Sequence, residues 1–168
     1  MSAYAYHLDE DLPLVVSDEV QRLRMVDFRI AGLVLVPNEG GIAGPLKVVF
    51  ATRRFSDLTG YEEGQIADRA TDWLQGPETD LQALADLKES VVAGEEAETH
   101  LLSYTNAGDA FWARVQAHPL KRRDGTVEGV SVFFSPTTKS RASYLSDAWS
   151  QIEAAWTDGV RSEDGGRR

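Results

Sequence analysis

Apolar and polar residues recur along this chain with two different periods, and the points where the period changes mark out the elements. From Ser17 the spacing is helical. Ser17 offers a capping hydroxyl, Asp18 and Glu19 suit a helix N-terminus, and Val20, Leu23, Met25 or Val26, and Phe28 recur about a turn apart. The β-branched run AGLVLVP at 31–37 then reads as a strand. Asn38-Glu39-Gly40-Gly41 and Gly44-Pro45 supply turn chemistry, and LKVVFAT at 46–52 is a second strand. Between Arg53 and Ala93 the strand signal stops. Phe55, Leu58 and Tyr61 flank a short helix ending at Gly60, and 62–67 is another. Thr79 and Gln82 form a capping box that opens a helix with Leu81, Leu84, Leu87 and Val91 on one face, stopping at Gly94. Strands return at 97–105, 110–120 and 126–138, separated by turns at Asn106–Asp109 and Asp124-Gly125. From Ser140 to Trp156 the helical period returns, with Tyr144, Leu145, Ala148, Trp149, Ile152, Ala155 and Trp156 on one stripe.

This order predicts an α+β fold: a five-stranded antiparallel sheet with short helices on one face, flanked by N-terminal and C-terminal amphipathic helices. The predicted divisions are 1–30 as an N-terminal extension and flanking helix, 31–138 as the domain, and 139–168 as a flanking helix with a frayed tail.

Composition narrows the function. Lys and Arg total 17 against 27 Asp and Glu, a net charge of −10 over 168 residues. That balance argues against nucleic acid and against docking on anionic lipid, both of which require a basic surface. No apolar run approaches a membrane span, and the N-terminus has no signal-peptide pattern. A soluble cytoplasmic protein is expected, one that a partner can bring to a membrane or a cell pole. With no cysteine, thiol nucleophiles and thiolate metal sites are excluded. His7, His100 and His118 have no metal-ligand spacing, so no metal is expected. Gly40-Gly41-Ile42-Ala43-Gly44 lacks the Lys and Ser/Thr of a phosphate loop. With no catalytic constellation in view, the chain reads as a non-enzyme.

The runs FSDLTGY (55–61) and WLQGPETD (73–80), followed by Leu102-Ser103-Tyr104, Asp109-Ala110-Phe111-Trp112, Pro119 and Asp124-Gly125, resemble the LOV (light-oxygen-voltage) branch of the PAS superfamily. The resemblance implies the PAS fold and, in family members, a flavin mononucleotide that bonds to a cysteine under blue light. At the cysteine position this chain has Thr71, flanked by Ala70 and Asp72 where the family has Asn and Arg. A second phosphate-contacting Arg corresponds to Lys88. The Asn, Asn and Gln that read the ring edge correspond to Ser103, Ala113 and Phe134, and Gln75 alone matches. Each buried flavin polar atom left unpaired would cost about 1–3 kcal/mol, and Phe134 adds bulk. The expectation from these departures is a degenerate site, no cofactor, and a flavin lost.

Output would then pass through contact. The resemblance implies a homodimer that binds a signalling protein, a histidine kinase or its regulator, and alters its activity or location. The expected interface residues are Leu23, Val26, Tyr144, Trp149, Ile152 and Trp156, although these stripes could equally rest on the chain's own sheet. Phe28 poses the same question. The alternative function is a small-molecule sensor that keeps a ligand in the cavity, either a flavin without thiol chemistry or an apolar metabolite, with Thr71, Gln75 and Ser103 pointing inward.

Overall fold

The computed structural model describes residues 12–38, 40–66 and 74–137. Nine elements follow one another in those stretches: α1 (Leu14–Arg24), β1 (Ala31–Pro37), β2 (Leu46–Ala51), α2 (Arg53–Thr59), α3 (Glu63–Ile66), α4 (Leu81–Val92), β3 (Ala97–Tyr104), β4 (Ala110–Lys121) and β5 (Val127–Thr137). The strands make one antiparallel sheet in the order β2-β1-β5-β4-β3. The β1–β2 hairpin and the β3–β4–β5 meander join where β1 pairs with β5, Leu33 opposite Val132.

Successive side chains on a strand point to opposite faces, and β5 uses both. Val130, Val132 and Phe134 face the side that α4 covers. Ser131 faces the other side, where its hydroxyl donates to the Glu19 carboxylate of α1. Val16, Val20 and Leu23 of α1 are buried at i, i+4 and i+7, the spacing that puts one helical stripe on a sheet. The sheet is thus covered by α1 on one face and by α2 and α4 on the other. β1, with Ala31 through Val36 buried, reads as a continuous apolar run for that reason.

Gly129 sets the approach of α1. A Cβ there would lie 2.8 Å from the Leu35 carbonyl oxygen and 3.0 Å from Val16 Cγ2. The oxygen belongs to a paired strand and cannot move aside. Gly129→Ala is therefore expected to cost about 1–3 kcal/mol through overpacking, measured by urea denaturation; an unchanged midpoint would mean that α1 does not seat on β5.

Three expectations are corrected. α1 begins at Leu14 behind Pro13, three residues before Ser17, because the buried stripe starts at Val16 and packing, not the Ser17 hydroxyl, fixes the start. The cap of α4 is Asp80, whose Oδ1 accepts from the N–H groups of Gln82 and Ala83. Thr79 is committed elsewhere: its hydroxyl donates to the Leu102 carbonyl at 2.9 Å and accepts from Gly76 N at 3.0 Å. Leu81 is 65% exposed and outside the buried stripe of α4, since a helix that starts one residue later rotates its first position outward. The C-terminal helix predicted over 140–156 lies outside the described residues.

Candidate functional site: a cavity between the sheet and the α4 helix

Between the inner face of the sheet and α4 lies a cavity of about 380 Å³, within the range of about 300–1,000 Å³ that small-molecule sites occupy. Its wall is made by alternation. Leu33 and Leu35 of β1, Leu101 of β3, Val115 and Ala117 of β4, and Val130 and Val132 of β5 all project the same way. Leu84, Leu87 and Val91 of α4 close the other side, spaced by a helical turn. Pro45 and Leu46 complete the rim.

Against this apolar lining stand few polar groups. Ser103 is only 4% exposed and lines the cavity; its hydroxyl makes no side-chain hydrogen bond among the described residues and is open to an occupant. Gln75 lines the exposed rim with its amide uncommitted among the described residues. Lys88 Nζ, also at the cavity, donates to the Gly44 carbonyl at 3.0 Å and ties α4 to the β1–β2 loop. The segment that presents Gln75 is itself pinned. Tyr104 Oη accepts from Glu78 N, and its ring lies so close to Gly76 that an added Cβ would fall 2.2 Å from it. Only glycine lets this turn close on β3, which gives the LQGPETD run a structural reason.

Four of the sequence-predicted site residues, Gln75, Lys88, Ser103 and Phe134, come together around this one cavity. Ala113 is buried on β4 opposite Leu101 but does not line it. Ala70, Thr71 and Asp72 lie outside the described residues. Sequence reasoning missed the walls from β1 and α4; the continuous apolar run at 31–37 and the Leu84, Leu87, Val91 stripe were the available signals. Of the expected interface residues, Leu23 is buried against the sheet and Val26 is half-buried, so Leu23 takes the intramolecular alternative. Phe28 is 68% exposed. Tyr144, Trp149, Ile152 and Trp156 lie outside the described residues. Among the described residues no helix is long and apolar enough to cross a membrane.

A model of the PAS domain matches residues 31–138. A blue-light-activated histidine kinase of Rhizobium johnstonii is 28% identical over 124 residues, 71% of this chain and 36% of its own length. Blue-light-activated histidine kinase 1 of Erythrobacter litoralis is 36% identical over 81 residues, 48% of this chain and 22% of its own. The chain thus spans about a third or less of the curated relatives it matches. Among solved structures, the dark form of the LOV domain of the blue-light photoreceptor aureochrome 1 superposes with a TM-score of 0.65 at 26% identity, covering 86% of this chain and 96% of that one. A light-oxygen-voltage domain described with a flavin analogue gives a TM-score of 0.67 at 23% identity, covering 81% and 95%.

These findings overturn the expectation that the flavin is lost and that no cofactor remains. The relatives are blue-light receptors, and one superposing domain is described with a flavin analogue. The physical step that failed was the bulk assigned to Phe134. Its ring packs on Phe55 at a centroid distance of 5.3 Å, so it forms part of the wall and leaves the cavity open. The summed cost of missing polar contacts also counted Ser103 only as a loss and left out the apolar walls, which reward burial of a ring at about 25 cal/mol per Å².

Proposed function

This chain belongs to the PAS domain family, in its LOV-like branch, and we propose that it is a non-catalytic sensory module that holds a flavin-class ring in the cavity by contacts alone and passes its state on by touching a signalling protein. The observation that carries the reading is the open, apolar cavity with Ser103, Gln75 and Lys88 among the polar groups that line it. The flat inner face of β4 and β5 and the leucines of α4 would sandwich the ring. The Ser103 hydroxyl and Gln75 amide would serve its heteroatoms, and the Lys88 ammonium, which has one bond to Gly44 and donors to spare, would meet an anionic tail. A bound flavin would supply absorption of blue light. The chain has no cysteine with which to bond to it.

On this reading 31–138 is the sensory domain, and the flanks 1–30 and 139–168 carry the output. The proposal keeps a homodimer through the segment that bears Tyr144, Trp149, Ile152 and Trp156, and a histidine kinase or its regulator as the partner. Support for the partner comes from the relatives, which are blue-light-activated histidine kinases.

The test is to purify the protein from its native cell in dim light, denature it and identify what is released by mass spectrometry and visible absorption. A flavin in near-stoichiometric amount is expected. Release of a colourless, unrelated metabolite would replace the flavin in this reading.

A further inference from the structure

The chain is strongly acidic, yet half of the exposed large apolar side chains among the described residues and four exposed arginines coincide at one place. Six large apolar side chains are exposed among the described residues, and three of them, Met25 (85%), Phe28 and Ile30, fall within six consecutive positions after α1. Arg24 and Arg29 border the same turn, and Arg53 and Arg54 open α2 beside it; all four are exposed. The proximity is fixed by bonds. Arg53 N donates to Asp27 Oδ1 at 2.8 Å, Arg54 N donates to the Asp27 carbonyl at 2.9 Å, and the Thr52 hydroxyl donates to the Ile30 carbonyl. The Arg53 guanidinium stands 5.4 Å from the centre of the Phe28 ring. Among the described residues none of these four arginines closes an ion pair with a carboxylate, Asp27 being engaged by backbone N–H and Asp57 lying beyond ion-pair reach.

We propose that this knob, Met25, Phe28 and Ile30 within a fork of four arginines, is a docking surface for a short acidic segment of a partner protein that carries an apolar anchor. The inference rests on the reading that output passes by protein contact, and it names where one such contact is made. Three physical features support it. The turn is pinned by its hydrogen bonds, so little ordering is needed on binding. Aromatic, Met and Arg side chains are the residue types enriched where partners are held. The charge chooses the partner. At a screening length of about 8 Å a peptide feels the four nearby arginines, whereas a bilayer meets the whole surface of a chain with net charge −10 and is repelled by the rest of it.

The experiment selects peptides from a displayed random library on the full chain, then measures the best binder by fluorescence anisotropy against wild type, Phe28→Ser and Arg53→Glu/Arg54→Glu. The expected result is enrichment of peptides rich in Asp and Glu with Leu, Phe or Trp anchors. Binding should weaken at least tenfold in each variant and fall as salt rises. Both variants alter exposed side chains; should one lower the melting temperature, Arg24→Glu/Arg29→Glu replaces it. Selection of peptides without acidic character, or binding that survives all the variants, overturns the proposal. So does sedimentation with vesicles of phosphatidylserine and phosphatidylcholine that is lost in Phe28→Ser, which would make the knob a lipid anchor. Flavin uptake is followed in the same samples. Peptide binding lost with flavin uptake intact isolates the knob, and flavin uptake absent with peptide binding intact counts against the cavity reading alone.

Discussion

Replacing Ala117 by Phe is expected to reduce flavin affinity at least a hundredfold while leaving the domain folded. Ala117 sits in the middle of β4, nearly without exposure, between Ala97 on β3 and Val132 on β5, and its methyl faces the cavity. A benzyl group there would enter the space of about 380 Å³ that the ring is proposed to occupy. A hundredfold loss corresponds to about 2.8 kcal/mol, less than the binding energy removed when a ring can no longer lie on Val115, Val130 and Leu87. Stability should hold or rise, because the new side chain fills a void rather than displacing packed atoms. Fluorescence titration with flavin mononucleotide, paired with a melting curve, reads both quantities. Wild-type affinity in a folded Ala117→Phe protein would place the ligand elsewhere.

The second large effect is on folding. Phe55 of α2 has no exposed surface, and its ring stacks on Phe134 at a tilt of 57°. Its N–H is held by the Thr52 hydroxyl that caps α2, so the ring's position is set by the residue that follows β2. Phe55→Ala removes a buried aromatic from the junction of the helical layer and the sheet, and should cost about 3–5 kcal/mol. That is a large share of the roughly 5–15 kcal/mol that holds a domain together. The same change removes the support behind Phe134, so flavin affinity should fall with it. Urea denaturation checks the stability term; a loss below about 1 kcal/mol would mean that Phe55 is not a core residue.

Much of the architecture was legible because it depends on local chemistry. Turn residues at Gly40-Gly41, Gly108 and Gly125 adopt positive φ as their positions suggest, and the alternation between those turns fixes the strands to within a residue or two. The start of α1 was not legible, because Leu14-Val15-Val16 carries β-branched residues and no capping hydroxyl, and becomes helical through its packing on β5. The exposure of Phe28 was hidden for a related reason. It continues the stripe of Val20 and Leu23, but the helix ends at Arg24 and the turn that follows swings it outward. The candidate site divides in the same way. Ser103, Lys88, Gln75 and Phe134 could be placed around one cavity by resemblance. Whether that cavity is open depends on how Phe134 packs against Phe55, far apart in the sequence, and no pattern along the chain carries that volume.

The most direct measurement is equilibrium dialysis of the ligand-stripped 168-residue chain against flavin mononucleotide and, separately, riboflavin. The account predicts one equivalent of flavin mononucleotide bound per chain, with riboflavin weaker and the difference shrinking in Lys88→Ala. No saturable uptake of either compound by the folded protein would contradict it.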